Sequence, residues 1–245
     1  MQMERAFWAP FVASLCAAGV TGAGIGAIRR YEHWALRNAS YFACFAAGVL
    51  ISVSFLHLVP KALGLSQQAP FYLLVGYLFM YLFNRFITAF VCDRPATKDY
   101  ALGLVPMVGI GIHSFIDGII YSVTFSVSAV TGALVSIGMI LHEFPEGVFT
   151  YVLLRKGGLE ERTAFGAAVL AAALTTPLGM LVSFPIISRI DQSVLAALLA
   201  LSAGVLIYVG ASHLLPTAER EPRRYNLLAL GAGVLVALGI IAAHG

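Results

Sequence analysis

Eight apolar runs, each about the length of a membrane-crossing helix and parted by short polar breaks, take up most of this 245-residue chain. They are Phe7–Ile28, Tyr41–Val59, Phe71–Val91, Ala101–Val123, Gly132–Leu154, Ala164–Ile187, Val194–Leu215 and Tyr225–Ala243. Runs of about 20 apolar residues cross a bilayer as helices, so the predicted fold is all-α, a polytopic bundle of eight transmembrane helices. The breaks are too short to hold a second folded unit, which makes residues 1–245 a single transmembrane domain. Charged residues are only 11% of the chain and hydrophobic ones 60%, with a mean hydropathy of +0.88; a soluble domain carries about 25% charge.

The remaining composition excludes several classes. The net charge of +3 comes from basic residues scattered through short loops, with no aromatic-interleaved patch, so no nucleic-acid partner is expected. Cys16, Cys44 and Cys92 are odd in number and lie in or beside apolar runs, which speaks against a disulfide framework or a cysteine metal cluster. The first run has Arg5 before it and Arg29-Arg30 after it, the reverse of a secretory signal, and is read as a retained span.

Charge sorts by loop. Arg29, Arg30, Arg37, Arg85, Arg94, Lys98, Arg155, Lys156, Arg162, Arg220, Arg223 and Arg224 fall on one side of the eight-span parse, and Arg5, Lys61 and Arg189 on the other. By the positive-inside rule the larger group is cytoplasmic, so both termini are extracytoplasmic; the expected location is the plasma (inner) membrane.

Two internal repeats follow. Ala47–Ala62 laid over Ala203–Ala218 pairs Ala47 with Ala203, Gly48 with Gly204, His57 with His213 and Pro60 with Pro216. The two spans run in opposite directions, so the repeat is inverted, a plan common among secondary transporters. Spans four and five pair Gly109 with Gly138, His113 with His142, Asp117 with Glu146 and Gly118 with Gly147, and are likewise antiparallel.

That second repeat carries the chemistry. His113-Ser114-Phe115-Ile116-Asp117-Gly118 and His142-Glu143-Phe144-Pro145-Glu146-Gly147 each set a histidine and a carboxylate at i and i+4, on one helix face. A carboxylate at the centre of an inserted helix costs roughly 2.5–3.5 kcal/mol, so Asp117, Glu143 and Glu146 need compensation. Two imidazoles and two carboxylates from facing helices form a mixed N/O set suited to zinc, with iron(II), manganese, cobalt, nickel or cadmium as competitors. Ser114 and Glu143 point about 100° further round their helices and offer an adjoining, nitrogen-poor site. Pro145 removes a backbone donor at this turn and predicts a kink there. His57, near the outer end of span two, and His213, near the inner end of span seven, are candidate stations at the mouths of a pathway.

The strings HSFIDG and HEFPEG, the HLVP and HLLP ends of spans two and seven, and Thr175-Thr176-Pro177-Leu178-Gly179 in span six resemble the ZIP (ZRT/IRT-like) family of divalent metal transporters, in its bacterial type. The resemblance covers essentially the whole chain. It implies inverted symmetry between spans one to three and six to eight, a metal site between spans four and five, uptake of the ion into the cytoplasm, and a homodimer. By position it assigns His113, Asp117, His142 and Glu146 to the main site, and Ser114 and Glu143 to an adjoining one. Some relatives place a carboxylate in span six beside that second site, where this chain has Thr175 or Thr176. A long histidine-rich loop of many relatives is replaced by the short Cys92–Tyr100 connection.

A rival enzyme reading starts from His142-Glu143, which opens like the H-E-x-x-H pattern of zinc hydrolases. That pattern needs histidine at position 146, where this chain has Glu, after a proline. A di-iron oxidase would need more histidines than six so thinly spread. A proton relay through the carboxylates is the remaining non-metal reading.

Overall fold

The computed structural model describes residues 2–220 and 223–242, with side chains from residue 7 onward. The Arg5 side chain, used in the charge count, and Ala243, the end of the eighth apolar run, lie outside the described residues. Among those residues seven helical segments are long and apolar enough to cross a membrane. We label them α1 (Phe7–Arg30), α2 (Ala39–Leu65), α3 (Ala69–Val91), α4 (Ala101–Val127), α5 (Ala129–Lys156), α6 (Glu161–Arg189) and α7 (Gln192–Glu219). A further apolar helix, α8 (Asn226–Ala242), has 17 residues. No strand forms among the described residues, as expected where the backbone must satisfy its own hydrogen bonds in lipid.

Several of these helices cross prolines without breaking. Wide π-type turns at Ser54–Leu58, Val169–Leu174 and Tyr208–Leu214 precede Pro60, Pro177 and Pro216. Such a turn reroutes the backbone bonds that a proline ring would obstruct. This is why α2 continues to Leu65, past the Val59 boundary expected from hydropathy. Around Pro145 the α-helix is unbroken from Ala129 to Lys156.

Side-chain size decides which helices meet. A Cβ built on Gly118 would lie 2.0 Å from the Thr176 carbonyl oxygen, and one on Gly179 would lie 2.0 Å from that of Phe115. Only glycine at both places lets α4 and α6 touch backbone to backbone. Gly48 with Gly233 seats α2 on α8 in the same way, and Gly76 with Gly204 seats α3 on α7. The packing gathers α1, α4, α5 and α6 into one group and α2, α3, α7 and α8 into another, with α4 against α7 and α2 against α5 along the seam. Large apolar side chains such as Phe71, Leu82, Phe90, Leu134 and Leu228 are exposed on the outside, where lipid replaces water as solvent.

At one end, between α1 and α2, the short helix Glu32–Arg37 is tied to α5. Arg155 donates to Glu32 Oε1 from Nε at 3.1 Å and from Nη2 at 2.6 Å, and the Tyr151 hydroxyl donates to Glu32 Oε2. The hydrogen bond from Arg155 holds the Glu32 carboxyl below the usual range for glutamate, assisted by Tyr151 and by the Arg155 charge. A second ion pair, Arg29 to Glu161 at 2.5 Å, joins the ends of α1 and α6.

Candidate metal centre

The two predicted His/acid turns meet at the α4–α5 contact. His113, Asp117, His142 and Glu146 are all buried. His142 Nε2 lies 2.7 Å from Asp117 Oδ2, and His113 Nε2 lies 3.5 Å from both Asp117 Oδ2 and Glu146 Oε1. The ring centroids of the two histidines are 5.6 Å apart. His113, His142 and Glu146 each offer a ligand atom within 4.8 Å of the others, a separation that one cation can bridge.

Neighbours set which atoms face inward. His113 Nδ1 is 2.8 Å from Ser202 Oγ on α7, so an N–H donated to that hydroxyl leaves the Nε2 lone pair pointing at the carboxylates. His142 Nδ1 is likewise 3.3 Å from the Gly138 carbonyl oxygen of its own helix. His113 Nε2 and Glu146 Oε2 are buried without a hydrogen-bond partner among the described residues. Buried polar atoms left so are costly, and a proton or cation at the shared point removes the cost. The short His142–Asp117 contact also requires a proton or a cation between nitrogen and carboxylate oxygen.

The adjoining acid has a different environment. Glu143 is fully buried, its Oε1 accepting from Thr176 Oγ1 on α6 at 3.1 Å, while Thr21 Oγ1 on α1 shares its one proton between Glu143 Oε2 at 3.2 Å and the Ala17 carbonyl at 3.0 Å. Each of its oxygens therefore has a hydroxyl neighbour. Ser114 is buried one position beyond His113 on α4. Of the adjacent threonines Thr175 and Thr176 on α6, only Thr176 reaches this region. Thr175 donates instead to the Ala171 carbonyl of its own helix at 2.6 Å and lines an apolar groove with Phe115, Leu198 and Leu201.

The two outlying histidines separate. His57 lines a cavity of about 100 Å³ that also reaches His113, Asp117 and His142. His213 lines another of about 330 Å³, with Asn84, Thr88, Lys98, Asp99 and Arg220, away from the cluster. Sequence reasoning overlooked Thr21 and Ser202. The available signal was polarity: Ser202 is the one polar residue between Val194 and Ile207.

Helices of membrane length around buried imidazoles and carboxylates define an integral, multi-pass membrane protein with the donor set of a transition-metal site. The ZIP Zinc transporter family is matched over residues 93–241, more than half of the chain, and the protein belongs to that family. Its relatives include the zinc transporter ZIP13 of Pongo abelii, 27% identical over 216 residues, 78% of this chain and 63% of that protein. The human zinc transporter ZIP4 is 30% identical over 142 residues, 56% of this chain and 22% of ZIP4. An uncharacterized protein of Methanocaldococcus jannaschii is 25% identical over 231 residues, 90% of this chain and 91% of its own. The chain thus spans less than two thirds of the length of these named zinc transporters. Names and site both disfavour the metallohydrolase alternative: Glu143, which would be its general base, is held by two threonines, and position 146 is glutamate.

Proposed function

We propose that the protein carries divalent transition-metal ions across the membrane, zinc foremost, through the cluster of His113, Asp117, His142 and Glu146. The observation that carries this reading is the pair of unpartnered buried atoms, His113 Nε2 and Glu146 Oε2, within a set of ligand atoms close enough for one ion. Family membership and the printed names of the relatives support zinc as the cargo. Iron(II), manganese, cobalt and cadmium accept the same donors and are further cargo in this proposal.

The whole chain is one domain of eight spans, α8 included, since 17 residues extend about 25 Å along a helix axis and α8 packs along α2. Inverted pairing of spans one to three with six to eight is supported by the π-type turns of α2 and α7, each containing a histidine ahead of Leu-x-Pro. Charge asymmetry supports extracytoplasmic termini in the inner membrane and uptake toward the cytoplasm. The exposed apolar face of α3 is open to lipid and to the second copy of a homodimer.

In mechanism, an entering ion exchanges water for imidazole nitrogen and carboxylate oxygen. The proton between His142 and Asp117 is displaced, so binding releases protons and weakens in acid. The cluster rides on the α1, α4, α5, α6 group, while Ser202 and His57 belong to the other. Movement of one group against the other then exposes the ion to each side in turn. Zinc uptake into proteoliposomes tests the reading: the parent protein transports, and His142→Ala abolishes transport. Uptake unchanged by His142→Ala overturns it.

A further inference from the structure

The cavity that reaches the cluster is lined by Val53, Leu58, Ile120 and other apolar side chains, and by five groups that interact with a cation. Four of them, His57, His113, His142 and Asp117, offer lone pairs or negative charge. The fifth is Lys61, whose ammonium repels any metal ion on its way in.

The position of this lysine is defined by the helix. Lys61 follows His57 by four residues on α2, so both stand on one face, and it is exposed at the cavity rim. It lies four residues before the end of α2 at Leu65, within reach of the membrane surface for a side chain that can extend there. Its side chain nevertheless lines the cavity that leads inward.

The other charges around the cluster are accounted for. Glu143 is engaged by Thr21 and Thr176, and neither it nor Glu146 lines this cavity. Asp117 is its one carboxylate among the described residues; His142 Nε2 stands 2.7 Å from that carboxylate, and Lys61 is the one lysine or arginine of the lining, on a flexible stem. At about 100 Å³ it has room for only a few water molecules to screen them from one another.

We propose that Lys61 is a tethered counter-ion for Asp117 at the mouth of the metal pathway, which an entering divalent cation must displace. The proposal rests on the transport reading of the same cluster. A counter-ion held on the chain competes at constant local concentration, so it lowers the affinity of the empty site and speeds release of the ion toward the rim. The role belongs to charge: a neutral side chain of similar length abolishes it, and arginine preserves it.

Zinc binding to the purified full-length protein in detergent, measured by titration calorimetry, tests this with Lys61→Gln, Lys61→Arg and His142→Ala beside the parent. Lys61→Gln is expected to bind zinc about tenfold more tightly than the parent, the order of effect of removing one unit charge near a site. Lys61→Arg is expected to stay within about twofold of the parent and shows that position 61 tolerates change. Lys61→Gln binding no tighter than the parent, while His142→Ala loses binding, overturns the counter-ion and leaves the transport reading standing. A parent that does not bind zinc, or a His142→Ala protein that binds as well as the parent, overturns both.

Discussion

Glu146 and Glu143 lie three residues apart on α5, with the same side chain and both buried, and their surroundings are opposite. Glu146 faces His113 at 3.5 Å with one oxygen and has no hydrogen-bond partner on the other. Glu143 accepts from Thr21 with one oxygen and from Thr176 with the other. A cation arriving at Glu146 supplies a missing partner, whereas one arriving at Glu143 must first displace hydrogen bonds that tie α5 to α1 and α6. In the proposed reading the state of the ligand before the metal arrives distinguishes two acids of identical chemistry.

Neutral substitutions sharpen this contrast most. Glu146→Gln is expected to weaken zinc binding by more than about 100-fold, because groups that merely orient a ligand already cost about 10–100-fold. Glu143→Gln keeps an oxygen that accepts from one threonine and is expected to remain within about threefold of the parent. Equal losses in the two variants would erase the distinction. Both are read by equilibrium zinc titration of folded protein.

Ser202 tests the cluster from the other group of helices. Removing its hydroxyl with Ser202→Ala leaves His113 Nδ1 without the partner that directs Nε2 inward, and about a tenfold loss of zinc affinity is expected. Ser202→Thr restores the oxygen and most of the affinity. A loss that threonine does not rescue would assign Ser202 to packing alone.

The smallest effect is expected at the Glu32 tie, remote from the cluster. Its carboxyl is held below the ordinary value of 4.5, so its contribution to stability is present above that value and is lost as pH falls through the lower, folded-state value. Glu32→Gln should lower the thermal midpoint in detergent by about 2–4 °C at neutral pH and leave the zinc affinity unchanged. The gap between parent and variant should close in acid. A gap that persists at low pH would show that charge is not its source.

Much of this arrangement was legible in the sequence, and what was not has a common cause. Hydropathy located α1 to α7 because each helix carries its own apolar length, and the i, i+4 spacing exposed both His/acid turns because it is local. The helix Glu32–Arg37 was missed, since six residues between two spans have no periodicity to read. Thr175 and Thr176 could not be told apart, because one residue is about 100° of helix rotation and only the packing of α6 on α5 selects Thr176. Ser202 and Thr21 act across α7 and α1, over separations of 89 and 122 residues from their partners, where no spacing rule reaches.

The central claim is that one cation binds per chain, at His113, Asp117, His142 and Glu146. Zinc stoichiometry of the purified protein, measured for the parent and for Glu143→Gln, tests it most directly. The account predicts one zinc per chain in both. Two zinc ions in the parent falling to one in Glu143→Gln would contradict it.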